Sequence, residues 1–235
     1  MKQNQAESLK FCEFEQNFKE QITNISHDLR TPLASILGYF ELINHEEIDE
    51  GSKAHYLGVV QKRAHLLQTL LNHYYELTKI DSDALTLQMS LVDVGELLAE
   101  VLVTFYDDFS SKQMKVEVIQ KLETLKIVAD NGQLQHVFIN LIQNVLQHGC
   151  EQCRVVHEIQ RNQTVTMVMN KVLNPEQIEI MKVFNRLYTT DKTRNSQNTG
   201  LGLTITQLLI EKMGHQINAA LSESGWFVIT IIWQV

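Results

Sequence analysis

The stretch Asn24-Ile25-Ser26-His27-Asp28-Leu29-Arg30-Thr31-Pro32-Leu33 decides how this chain is read. It sets a histidine, an acid, a base and a hydroxyl within five positions, directly before a proline. Around it, apolar residues recur at Phe11, Phe14, Phe18, Ile22, Ile25, Leu29, Leu33, Ile36, Phe40 and Ile43. Steps of three and four mark one long amphipathic helix with a coiled-coil-like seam. His27 falls between Ile25 and Leu29, so at about 100° per residue it points away from that seam, toward solvent. Pro32 has no N–H for the carbonyl of Asp28, and the helix is expected to bend or loosen there.

A turn near Glu46 to Ser52 leads into a second periodic segment, with Leu57, Val60, Ala64, Leu67, Leu71, Tyr74 and Ile80 on its apolar side. Two long helices joined by a short loop make an antiparallel hairpin with more apolar surface than it can cover alone. Pairing of two copies into a four-helix bundle would bury both seams, which predicts a homodimer.

The remaining composition bounds the function. At 235 residues, 44% hydrophobic and 20% charged, the chain fits a globular protein with one large or two modest cores. A net charge of −8 argues against nucleic acid as a partner. No apolar run approaches the length of a membrane-crossing helix, and Met1 to Lys10 has no signal-peptide core, so the literal expectation is a cytoplasmic protein. Cys150 and Cys153 have CxxC spacing without a second ligand pair, and no metal or redox chemistry is expected of them.

After Asp81 the pattern changes. Helices are expected over Val94 to Phe109, Asp130 to Gln147 and Leu201 to Met213. Strands are expected at Lys115 to Ile119, Leu125 to Val128, Val155 to Ile159, Val165 to Met169, Gln216 to Ala220 and Trp226 to Ile232. Asp130 with Gln133 reads as a capping box. This mixture predicts an α/β sandwich with helices on one face of a mostly antiparallel sheet. In the helix that follows Asp130, Leu134, Val137, Phe138, Leu141, Ile142 and Val145 form the buried side. Gln133, His136, Asn140, Asn144 and Gln147 line the opposite stripe.

The opening stretch resembles the H-box of sensor histidine kinases, and three further motifs follow in that family's order. Asn140-Leu141-Ile142-Gln143-Asn144 resembles the N-box, Phe184-Asn185-Arg186-Leu187-Tyr188 the F-box, and Thr199-Gly200-Leu201-Gly202-Leu203 the second glycine box. The resemblance implies that His27 accepts the γ-phosphoryl group of ATP. Asp28 then holds the proton of the other ring nitrogen, Arg30 completes the charged set, and Thr31 helps place a water for dephosphorylating the partner. It implies ATP with Mg²⁺ in the second domain, the metal on the amide oxygen of Asn144. Asn140 stands where related ATPases carry a water-activating glutamate, which suits transfer to a histidine better than hydrolysis.

The same resemblance places Gln147 where the family usually has lysine and His148 where it usually has tyrosine. Arg186, Lys192 and Arg194 become the cations for the triphosphate, and Thr189 to Asn198 a mobile lid. Asn170 replaces the aspartate that receives the adenine amino group, while Val172 and Asn174 replace two glycines. The implied organisation is an α+β chain of two domains: an N-terminal extension over 1–15, a dimerisation and phosphotransfer domain over 16–85 and a catalytic ATP-binding domain over 90–235. The implied partners are a second copy and a response regulator whose aspartate takes the phosphoryl group. Family members often carry membrane or sensory segments upstream, so the chain is alternatively the intracellular end of a longer receptor. The altered first glycine box motivates a different reading, a non-catalytic dimeric scaffold or phosphatase with weak nucleotide binding.

Overall fold

The computed structural model describes residues 2–45, 48–82, 84–120, 126–160, 163–189 and 199–234, with side chains from residue 23 onward. The expected seam positions Phe11, Phe14, Phe18 and Ile22 therefore lie outside the described side chains, as do parts of the expected turn near Glu46. The chain separates into two compact units, Met1–Tyr75 and Glu76–Val235. Among the described residues, no helix is long and apolar enough to cross a membrane.

The first unit is the helical hairpin. Helix α1 spans Lys2–Ile43 and runs unbroken through Pro32, and helix α2 spans Glu50–Asp81. Asp49 opens α2 by accepting from the backbone N–H of Ser52 at 3.0 Å and its hydroxyl at 2.6 Å. Those bonds hold the Asp49 carboxyl below its ordinary value. Two cross-helix contacts fix the antiparallel register: Tyr39 stacks on Tyr56 at 5.4 Å, and the Tyr74 hydroxyl donates to Asp28 at 3.1 Å. The apolar side of α2 differs from the expected stripe. Its buried residues are Leu66, Leu70, Leu77 and Ile80, whereas Leu57 and Leu71 are exposed together with Leu33, Leu37 and Phe40 of α1. The α2 helix thus carries two apolar stripes, one covered within the chain and one left bare.

In the second unit, β1 (Met89–Asp93) pairs antiparallel with β3 (Lys126–Asp130) as a separate two-stranded ribbon. The larger sheet joins β2 (Lys115–Gln120), β4 (Cys150–Gln160), β5 (Gln163–Lys171), β6 (Gln216–Leu221) and β7 (Trp226–Trp233) in the order β2-β4-β5-β7-β6. Only the β2–β4 pair is parallel. Strand β7 shows why the sheet has one core face: Phe227, Ile229, Ile231 and Trp233 are buried and alternate with half-exposed residues. Helices α3 (Val94–Thr104), α5 (Asn131–His148) and α6 (Gly202–Lys212) supply Leu97, Leu134, Phe138, Leu141, Ile205 and Leu209 to the buried core. Burying side chains of this size contributes about 1.5–3 kcal/mol each.

The expected helix from Val94 to Phe109 is two helices. Phe105, at φ −97° and ψ 11°, separates α3 from the short α4 (Tyr106–Ser111), which lets Phe109 turn into the core while Tyr106 stays outside. The Asp130 carboxylate caps α5 through the N–H of Gln133 and also accepts from the N–H of Gln88 at 2.7 Å, tying the segment before β1 to the helix start.

The core contains a polar knot. Thr166 accepts from the Trp233 indole at 2.8 Å and meets His157 Nδ1 at 2.8 Å, so it can serve both groups at once. His215 packs edge-on against Trp233 at 5.1 Å and accepts from the N–H of Gln234. Burial pushes both imidazoles below their ordinary value, outweighing the charge of Asp93 at His157 and the Val128 carbonyl at His215. Below the ordinary histidine value of about 6.5, the unfolded chain binds more protons than the folded one, so stability falls with pH there. A melting temperature that drops between about pH 7.5 and about pH 5.5 is expected, with a shallower drop in His215→Gln. A flat profile over that range, followed by circular dichroism, would contradict it.

Candidate active site

On α1, His27 is 59% exposed and Asp28 only 12%. Neighbouring helix residues diverge by about 100°, so one turns outward as the other turns toward α2. The Asp28 Oδ1 atom lies 3.6 Å from His27 Nδ1, beyond hydrogen-bonding length but close enough to select that ring nitrogen electrostatically. Arg30 and Thr31 are exposed, and the Thr31 hydroxyl donates to the His27 carbonyl one turn back at 3.2 Å. The helix stays continuous across the proline.

The second cluster surrounds α5. Asn144 and His136 are half-buried and Gln133 with them, while Gln147 and His148 are exposed at the helix end. Asn140 departs from the expected open stripe: it is buried, and its Nδ2 donor has no partner among the described residues. An unpaired buried amide costs about 1–3 kcal/mol, which an oxygen-rich ligand would offset. Asn170 is 1% exposed, and its Nδ2 donates to the Lys171 carbonyl at 3.2 Å, directing the acceptor oxygen elsewhere. Its approach to α5 depends on Gly149, where a Cβ would lie 2.5 Å from the Val145 carbonyl and 3.1 Å from the Asn170 Cβ. The sequence reading passed over Gly149. A glycine directly after a helix, ahead of the strand that pairs with Asn170, was the available signal.

The remaining two motifs are stitched together. The Leu187 N–H donates to the Gly200 carbonyl at 3.0 Å, and the Thr204 hydroxyl to the Phe184 carbonyl at 2.9 Å. Leu187 and Gly200 both have left-handed backbones, at φ 64° and 66°. A Cβ on Gly200 would lie 2.8 Å from the Leu187 carbonyl carbon, so the crossing requires glycine. Leu201 is fully buried and carries no side-chain cap, which leaves the first N–H groups of α6, from Gly202 and Leu203, to other acceptors. Thr199 Oγ1 accepts from the Leu201 N–H at 3.3 Å.

Other expected ligand residues are differently engaged. Arg186 pairs with Asp81 at 2.6 Å, and the Tyr188 hydroxyl accepts from the Glu179 N–H at 2.6 Å. His136 pairs with Glu76 at 2.8 Å. The last turn of α2, through Glu76 and Asp81, therefore bears on this cluster. Lys192 and Arg194 lie outside the described residues, with the rest of 190–198. Elsewhere, burial raises the Cys153 thiol to about 12, which keeps it neutral.

The set fits a nucleotide and a small hard cation: a neutral amide oxygen at Asn144, a waiting donor at Asn140 one turn away, and an uncapped glycine-led helix start for phosphate.

Comparison with known proteins agrees with this geometry. Residues 19–83 match the His Kinase A (phospho-acceptor) domain. Residues 129–235 match the histidine kinase-, DNA gyrase B- and HSP90-like ATPase family. The chain is 30% identical over 213 residues to Sensor histidine kinase YcbM of Bacillus subtilis, covering 88% of this chain and 68% of that protein. It spans 54% and 58% of two enterococcal sensor proteins. In fold it resembles Acinetobacter baumannii histidine kinase AdeS, with a TM-score of 0.68 and 19% identity over 88% of this chain and 97% of that one. It also resembles histidine kinase ThkA in a complex with response regulator protein TrrA, with a TM-score of 0.64 and 21% identity over 92% of this chain and 61% of that one.

Gly200→Ala tests the crossing. Forcing a Cβ into the left-handed conformation against Leu187 should cost at least about 2 kcal/mol of stability in denaturant titration. Weaker nucleotide binding by calorimetry should accompany it, and wild-type values for both would refute the assignment.

Proposed function

The chain belongs to the sensor histidine kinase family and is a protein histidine kinase, and on that premise we propose that His27 is its phosphoacceptor and residues 90–235 its ATP-binding domain. The observation that carries the reading is His27 itself: an imidazole 59% exposed to solvent whose Nδ1 faces the largely buried carboxylate of Asp28, with Nε2 as the nitrogen that attacks phosphorus. Its lone pair forms the N–P bond while the bond from the γ-phosphorus to its bridging oxygen breaks, the electron pair leaving on ADP. Charge builds on the ring, and Asp28 is the anion beside it.

On the nucleotide side, Asn170 offers its acceptor oxygen to the adenine amino group. The N–H groups of Gly202 and Leu203 receive phosphate oxygens, and Asn140 donates to another oxygen of the ligand. Asn144 holds Mg²⁺, which when bound neutralises phosphate charge. Transfer of this kind is chiefly positioning and electrostatic stabilisation. Asn140 offers no carboxylate to activate water, which favours transfer over hydrolysis. Arg186 serves the triphosphate only when released from Asp81. The proposed domain limits are 16–85 for dimerisation and phosphotransfer, after an extension over 1–15.

Two partners follow. A second copy covers Leu33, Leu37, Phe40, Leu57 and Leu71, which a lone hairpin leaves exposed. A response regulator then receives the phosphoryl group on an aspartate, with Thr31, one turn beyond His27, placed to position water for the reverse hydrolysis. The ThkA–TrrA pairing supports a partner of that kind. The proposed location is the cytoplasmic side, where ATP is supplied, as the core of a longer receptor.

Incubation with γ-labelled ATP and Mg²⁺ should give acid-labile label on the wild type and none on His27→Gln. Label that survives in His27→Gln would sink the acceptor assignment. Phe40→Asp, placed on the bare stripe, should convert the dimer to monomer in sedimentation equilibrium, and an unchanged dimer would remove this face from the interface.

A further inference from the structure

We propose that Tyr74 of α2 is a positioning residue for the phosphoacceptor, holding one oxygen of Asp28 so that the other faces His27. This rests on the reading of His27 as the acceptor. The Tyr74 hydroxyl donates to Asp28 Oδ2 at 3.1 Å across the hairpin, 46 residues away in sequence. The other carboxylate oxygen, Oδ1, is the one directed at His27 Nδ1. At 12% exposure Asp28 is largely cut off from water, so a bound hydroxyl both stabilises its charge and limits its rotation.

The consequence is chemical. Residues at i and i+1 of a helix do not face each other, so a free aspartate beside a histidine has many rotamers that miss the ring. Pinning Oδ2 on the neighbouring helix selects those in which Oδ1 can close the 3.6 Å gap as the imidazole gains positive charge. The tautomer of the nucleophile thereby depends on the packing of α2 against α1, although Tyr74 touches no substrate. A displacement of α2 along α1 of even part of a turn would release Asp28 and slow the reaction without altering His27.

The test uses the full dimeric chain. Tyr74→Phe keeps the ring and removes the hydroxyl. It should lower kcat for autophosphorylation about tenfold, the scale of one hydrogen bond to an ionised group, with the KM for ATP unchanged. In 15N spectra of His27, the share of the tautomer protonated at Nδ1 should fall. The effect should vanish in an Asp28→Asn background, because Tyr74 acts through that carboxylate. If Tyr74→Phe perturbs the hairpin, the 13Cζ resonance of Tyr74 reads the same link in a folded protein: it should move in Asp28→Asn and stay in His27→Gln. An unchanged kcat, an equal loss in the Asp28→Asn background, or an unmoved Tyr74 signal overturns the role of Tyr74 alone. Label persisting in His27→Gln overturns the acceptor reading with it.

Discussion

The nucleotide half of this protein depends on one backbone crossing. Leu187 and Gly200 meet so closely that the Leu187 N–H reaches the Gly200 carbonyl and no Cβ fits between them. Both residues adopt left-handed conformations, and for leucine that is a strain of about 1 kcal/mol or more, sustained by the surrounding packing. The crossing closes the long loop between the two motifs and sets where α6 begins. Leu201, fully buried immediately after it, anchors the helix start in the core. The first N–H groups of that helix, without a side-chain cap among the described residues, are then aimed by the same geometry that brought the motifs together.

Helix α5 supplies the complementary constraint. Phe138, Leu134 and Leu141 are fully buried and lock its rotation against the sheet, with Phe138 edge-on to Trp233 at 6.5 Å. Once that rotation is fixed, Asn140 and Asn144 share a face, four residues apart, with Asn140 on its inner margin. Its orphaned Nδ2 is a local loss of stability that only a ligand recovers. Such losses are tolerated where binding matters more than folding. Gly149 then lets Asn170 lie close to the end of α5, a contact set by the absence of a side chain.

Much of this was legible in the sequence, for identifiable reasons. The hairpin was readable because its helices are long and periodic, and several strands were readable as alternating runs such as Val165 to Met169 and Trp226 to Ile232, although their order in the sheet was not. The strand Met89–Asp93 and its pairing with Lys126–Asp130 were not, although Leu125 to Val128 was expected as a strand, since a five-residue strand carries little periodicity and the pairing is long-range. The break at Phe105 left no glycine or proline to announce it, because burial of Phe109 imposes it from outside the segment. The division of α2 between a stripe covered in the chain and a bare one has a similar origin. A helix with two apolar faces gives no sequence sign of which its own hairpin covers. Asn140 looked like part of an open stripe because residue type and spacing show a face but not its margin. Pairs such as Arg186 with Asp81 and His136 with Glu76 depend on tertiary placement alone.

The phosphoacceptor illustrates why adjacency in sequence is useful even though adjacent helix residues diverge. Phosphoryl transfer to an imidazole needs a nucleophile that two bulky partners can approach, and a carboxylate that neither partner displaces. A pair four residues apart would place both groups on one face, so exposure of the histidine would expose the acid as well. With His27 and Asp28 successive, about 100° of rotation puts one in solvent and the other against α2. The remaining distance between them is set by side-chain orientation, and the Tyr74 hydroxyl of the neighbouring helix holds the outer oxygen of that carboxylate. Reactivity is thus divided between a residue that must be reachable and one that must be held. The hairpin, more than the α1 helix alone, is the smallest piece of this chain that can meet both demands.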